Sequence, residues 1–298
     1  MKKITKALCA AAMCGVMILT GCSGSNNGGA ITAAENQATE PRLIKSTAAG
    51  NSGEVTIEPG DTYAVISVRD FGDIKIKLFP DLAPYSVYNF TELAKKGTYN
   101  GRNFHRLKEN FMIQGGSANG MGGGGQSIDG GNFKDEVNTS LRHYYGALCY
   151  SSNMLGDLSD GFYIVNNKTP MTVSAEGYKS NSGTYEQYKA MYQMYLSMFE
   201  EGSSDYALYK QAYDHSAFVC EAMKAMGETF TDAVKETYLA KGGYPQIDGA
   251  YTVFGQTVEG FDVIDKITAV QKIDDGNGNI TKPANEIIID KVEIFTME

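Results

Sequence analysis

Between residues 103 and 116 the chain reads "NFHRLKENFMIQGG", one arginine, Arg106, set among Phe104, Phe111, Met112 and Gln114. A guanidinium keeps its charge at any ordinary pH and presents its donors in a rigid fork. Placed here it either pairs with a carboxylate, for which Glu109 and Asp135 are candidates, or is held as a donor aimed at a reacting group. The other reactive residue types point less sharply. His105 adjoins the arginine, and His143 has no acid at a spacing that suggests a hydrolase relay. Cys149 and Cys220 lack Cys-x-x-Cys spacing, so no metal site or disulfide framework is indicated. The four glycines at 122–125 are followed by neither Lys-Ser/Thr nor a helical pattern, which argues against a phosphate-cradling loop.

At the N-terminus Lys2, Lys3 and Lys6 precede an apolar run over 7–19, short for a bilayer span, that closes on Leu19-Thr20-Gly21-Cys22. The pattern resembles a bacterial lipobox. Residues 1–21 are therefore expected to be a lipoprotein signal peptide and Cys22 the lipidated residue. Acyl chains there would hold the protein at the cell membrane, facing outward, without a transmembrane helix. Removing the signal leaves 23 basic and 35 acidic residues, a formal charge of −12, which argues against a nucleic-acid partner. A chain of 298 residues with 42% apolar content can bury a real core in one large domain or two.

These residues need a scaffold. Residues 22–58, rich in Ser, Gly, Asn, Ala and Thr, read as a flexible tether. Order is expected to begin with a hairpin over 63–78, whose second strand alternates Ile74, Ile76 and Leu78 with lysines. Pro84 opens a helix, and Gly97 sits where its C-cap belongs. Short apolar runs divided by glycine over 100–165 suggest a barrel or sandwich. The texture changes near Asn166. Tyr185, Tyr188, Tyr192, Tyr195 and Phe199 recur at helical spacing; Ser203-Ser204-Asp205 caps a second helix that Gly227 should stop, and a weaker third follows over 231–240. Strand character returns at 251–254 and 286–295, around a short helix at 261–267. The expected layout is a β domain over 59–165 and 244–298, interrupted by a helical insertion at 166–243.

Several blocks, in order, resemble the cyclophilins. "YNGRNFHRLKENFMIQGG" at 99–116 is similar to the family signature, "FKDEV" at 133–137 to its Phe-x-Asp-Glu element, and "FYIV" at 162–165 to the strand lining a proline pocket. "IDGAYTVFGQTVEGFDVIDKI" at 247–267 is similar to the closing segment. The resemblance implies a closed eight-stranded antiparallel barrel capped by helices, and peptidyl-prolyl cis-trans isomerase activity with no metal or organic cofactor. It implies Arg106 as the catalytic residue, with Phe111, Met112 and Tyr163 around the proline ring and Gln114 orienting the arginine. Ser151, Ser152, Ile247 and Tyr251 take the positions of other peptide-contacting residues. The implied partners are proline-containing unfolded or secreted polypeptides.

The sequence departs from the family at four positions in these blocks or beside them. Gly161 stands for a glutamine, Ser152 for an asparagine, Tyr251 for a frequent histidine and Gln246 for a frequent tryptophan. The insertion replaces what is typically a short loop, and nine of the chain's 19 tyrosines lie between Tyr185 and Tyr244. They either build the core of a helical subdomain, face outward to hold clients, or belong to a lid over the pocket. The rival to an isomerase is thus a non-catalytic module that binds proline-containing segments or clients through the insertion.

Overall fold

A computed structural model describes residues 39–298. The signal peptide, Cys22 and the first part of the expected tether lie outside the described residues. In chain order the elements are β1 (Arg42–Ile44), β2 (Thr62–Val68), β3 (Gly72–Leu78), α1 (Pro84–Lys95), β4 (Asn103–Lys108) and β5 (Met112–Gly115). Then come β6 (Phe133–Lys134), β7 (Glu136–Asn138), β8 (Ala147–Ser152) and β9 (Asp157–Val165). The insertion supplies α2 (Ala175–Leu196), α3 (Ser204–Glu228) and α4 (Asp232–Lys241). A 3-10 turn (Pro245–Ile247) leads to β10 (Val253–Glu259), α5 (Phe261–Ala269), β11 (Lys272–Asp274), β12 (Ile280–Pro283) and β13 (Ile287–Thr296).

Eight strands close on themselves in the order β5-β4-β13-β2-β3-β10-β8-β9, with β9 pairing back to β5, every neighbour antiparallel. Alternation drives the closure: Ala64, Ile66 and Val68 on β2 and Ile74, Ile76 and Leu78 on β3 turn inward and are buried. Phe90 of α1 meets Tyr99, Phe162 and Phe254 at ring separations of 5.2 to 5.7 Å. Pro84 starts α1 without a side-chain N-cap from its own chain neighbours. Glu136 of β7 serves instead, accepting from the backbone N–H groups of Tyr85 and Ser86 and from the Ser86 hydroxyl.

The insertion packs against this barrel. Val219 and Met223 of α3 cluster with Ala250, and Ile247 and Tyr251 lie against both that cluster and the barrel core. Helix α2 starts at Ala175, capped by Ser174, ten residues ahead of the tyrosine face that announces it. Gly227 does not stop α3, which runs to Glu228; a β-carbon there would lie 2.8 Å from the Ala175 carbonyl, so the glycine marks a close approach to α2. Cys149 and Cys220 are free thiols.

The tether reading needs correction over its second half. Strand β1 pairs in parallel with β7, and Asn51 is wholly buried. The Asn51 amide donates to the Arg142 carbonyl at 2.8 Å and to Gln256 Oε1 at 3.2 Å, and its Oδ1 accepts from the Arg142 N–H at 2.8 Å. Polar composition suggested a solvated linker, whereas here one buried amide satisfies backbone groups that the barrel leaves open.

Candidate active site

The site is a row across four strands. Arg106 on β4 pairs in register with Gln114 on β5, Gln114 with Tyr163 on β9, and Tyr163 with Cys149 on β8. Residues that pair in register share a face, so one wall of the barrel presents the arginine, the amide and the phenol ring together. A bulge on β4 between Phe104 and Arg106 makes this work: Phe104 and Leu107 are both fully buried, and Arg106 is left on the outer side.

Gln114 Oε1 accepts from Arg106 Nη1 at 3.2 Å. Neither carboxylate considered from the sequence takes the guanidinium. Glu109 pairs with Lys272 at 2.9 Å, and Asp135 Oδ1 accepts from Thr252 Oγ1 at 2.8 Å. Arg106 instead lines a cavity of about 820 Å³ with His105, Gln114, Asn119, Asp275 and Asn279, one wall being the β11–β12 hairpin. Burial pulls the guanidinium pKa below its usual value, against the opposing pull of Tyr251 and Asp275. His105 is driven down to about 4, by burial and by the adjacent arginine, so it is neutral at neutral pH.

Beside the row lies the apolar part. Phe111, Met112 and Tyr163 are at most 1% exposed, and the Tyr244 ring lies tilted on Phe111 at 4.5 Å. Tyr251 meets Tyr163 edge-on at 6.2 Å, and Ile247 is packed near it. Ser151 and Ser152 end β8 and are buried; Ser152 Oγ has no hydrogen-bond partner among the described residues. Ser151 Oγ donates to the Gly161 carbonyl at 3.0 Å and would lie 2.8 Å from a β-carbon at Gly161. The departure at Gly161 is therefore matched by Ser151, whose hydroxyl fills the space of the missing side chain. Asp135 carries a second buried oxygen, Oδ2, without a hydrogen-bond partner among the described residues, and burial pushes its pKa up to about 7.

His143 requires a correction. Its acid is Asp248, 105 residues along the chain, whose Oδ1 lies 2.8 Å from His143 Nδ1 and also accepts from the His143 backbone N–H at 2.7 Å. Sequence spacing could not show this, although Asp248 was visible inside the "IDG" block. The other ring nitrogen, Nε2, faces the Tyr163 hydroxyl at 2.9 Å, so its partner is a buried phenol and not a serine or cysteine. Tyr244, Asp248 and the β11–β12 hairpin are the parts of the site that sequence reasoning missed.

A family model described as cyclophilin type peptidyl-prolyl cis-trans isomerase/CLD matches residues 63–179 and 209–294. A protein of Staphylococcus aureus (strain USA300) that carries the name of a peptidyl-prolyl cis-trans isomerase is 30% identical over 238 residues, covering 80% of this chain and 94% of its own. A Staphylococcus saprophyticus protein with the same name is 30% identical over 236 residues, 79% of this chain and 93% of its own. Among solved structures, a cyclophilin type peptidyl-prolyl cis-trans isomerase of Cryptosporidium parvum matches with a TM-score of 0.50 at 20% identity, over 80% of this chain and 99% of that one, a likeness of fold.

Proposed function

Because the chain belongs to the cyclophilin-type peptidyl-prolyl cis-trans isomerases, we propose that Arg106 and the apolar surface beside it accelerate rotation about X-Pro bonds in exported polypeptides. The observation that carries this reading is the row Arg106–Gln114–Tyr163, in which a half-buried guanidinium is fixed by an amide and faces a cavity without pairing to Glu109 or Asp135. The barrier to rotation, about 18–20 kcal/mol, is amide resonance, with the prolyl nitrogen lone pair delocalised into the carbonyl. As the bond twists, that nitrogen becomes pyramidal and its lone pair becomes an acceptor. A donor fork held at that position binds the twisted state better than either planar one, and no proton need change hands. Phe111, Met112 and Tyr163 supply the wall for the proline ring, and Ser152 at the end of β8 holds a buried hydroxyl that has no partner among the described residues.

The lipobox-like Leu19-Thr20-Gly21-Cys22 supports attachment through Cys22 and work at the outer face of the cell membrane, on proline-containing secreted or unfolded clients. A holding function has its own support: Met194, Met198 and Leu208, on and beside α2 and α3, are 47 to 64% exposed, and residues 180–208 lie outside the matched family regions.

Exchange NMR on a short X-Pro peptide with residues 39–298 decides between turnover and holding. Arg106→Ala should lower kcat/KM by about 10²–10³-fold, the scale of losing one transition-state donor. Because His105 stays neutral until about pH 4, that residue gives turnover no inflection between about pH 5 and 8. Binding without acceleration in the wild-type chain would leave the holding function alone.

A further inference from the structure

Beneath the proline pocket lies a buried polar network that the isomerase mechanism does not use. Asp248 Oδ1 takes both the backbone N–H and Nδ1 of His143, at 2.7 and 2.8 Å. Asp248 Oδ2 accepts from the hydroxyls of Tyr178 on α2 and Tyr238 on α4, at 2.7 and 2.6 Å. Four donors saturate the carboxylate. Arg142 Nη1 stands 3.9 Å from Oδ2 and its guanidinium lies over the Tyr178 ring at 4.9 Å, so the buried negative charge already has its counter-charge. His143 Nδ1 carries a proton for Asp248 Oδ1, and Nε2 meets the Tyr163 hydroxyl at 2.9 Å; where Nε2 carries no proton, that hydroxyl is the donor. All six side chains are at most 2% exposed.

We propose that Asp248 and His143 are positioning residues for the proline pocket, acting through the Tyr163 hydroxyl, and that Tyr178 and Tyr238 make the helical insertion a working part of that pocket. This rests on the isomerase reading in placing Tyr163 against the proline ring. A phenol in a ring pocket must send its hydroxyl somewhere, and an untied hydroxyl facing an incoming proline would be desolvated without a partner. The chain from Tyr178 and Tyr238 through Asp248 and His143 turns the hydroxyl inward and leaves the ring as an apolar wall. Three elements of the insertion reach the network, since Arg142 Nη2 also donates to the Met226 carbonyl of α3 at 3.1 Å.

The test is a double-mutant cycle on residues 39–298, with kcat and KM read by exchange NMR on a short X-Pro peptide. His143→Gln should raise KM about three- to tenfold with kcat little changed, the scale of one hydrogen bond. In a Tyr163→Phe background, whatever its own activity, the same substitution should change KM less than twofold. Equal effects in the two backgrounds, or no KM effect in either, would overturn the proposal. Should His143→Gln fail to fold, Tyr238→Phe removes one bond at the far end of the chain and is run through the same cycle. An independent readout is the ¹⁵N spectrum of the His143 ring: a protonated Nδ1 with an accepting Nε2 is expected, and the opposite tautomer sinks the idea. If the wild-type chain binds the peptide without accelerating exchange, the isomerase reading falls, while the same cycle run on peptide Kd still decides the coupling. Absence of any peptide binding overturns both.

Discussion

At the scale of single residues, which side chains come together was legible wherever it depended on close spacing. Arg106, Phe111, Met112 and Gln114 sit within nine positions, and the β4–β5 hairpin brings them together. Asp248 was not legible as the partner of His143, because their contact depends on how the closing segment folds over the barrel. Nor was the pairing of Ser151 with Gly161, since the two lie ten positions apart on facing strands. That pairing is testable. Gly161→Ala should destabilise the protein by about 1–3 kcal/mol through crowding against Ser151 Oγ, and by clearly less in a Ser151→Ala background, as read by denaturant unfolding. Ser151→Ala/Gly161→Gln, which restores the family's amide and makes room for it, should raise kcat/KM by up to about tenfold; Gly161→Gln alone should not.

At the scale of elements, alternation found the β2–β3 hairpin, and helical spacing together with caps found α1 and the three helices of the insertion. It misjudged Gly227, reading a close approach between α2 and α3 as a helix stop. In the insertion, Tyr178 and Tyr238 are buried in the network under the pocket, and Tyr192, also buried, meets Tyr195 and Tyr209, with Phe199 stacked on Tyr209. Whether α3 is seated rigidly on the barrel can be measured at Gly249, whose φ is 89° and whose added β-carbon would lie 2.8 Å from the Met223 backbone nitrogen. Gly60 has nearly the same φ, 92°, with nothing within 4 Å. Both alanine variants carry the left-handed strain, about 1 kcal/mol. Gly249→Ala should cost about 1–3 kcal/mol more than Gly60→Ala in chemical unfolding, and equal costs would mean that α3 yields easily.

At the scale of the whole molecule, the fold class and the interruption of a barrel by helices could be read from the order of motifs and textures. The start of the folded unit could not, because Asn51 looks like any linker asparagine until Arg142 and Gln256 are seen around it. A chain beginning at residue 58 should therefore be less stable than one beginning at 39 by at least about 3 kcal/mol, roughly 1 for each of the three Asn51 side-chain hydrogen bonds, with the β1–β7 pairing lost besides and a lower Tm to match. Closure of the barrel carries one more consequence. Arg106 and Gln114 share one hairpin, Tyr163 and Cys149 share another, and the two are joined where β5 meets β9, some fifty residues apart in sequence. Such a contact must be found by chain search, after local hairpins and helices have formed. During refolding, circular dichroism would then recover from α2 and α3 ahead of turnover, and the return of catalysis would time the sealing of the β5–β9 seam.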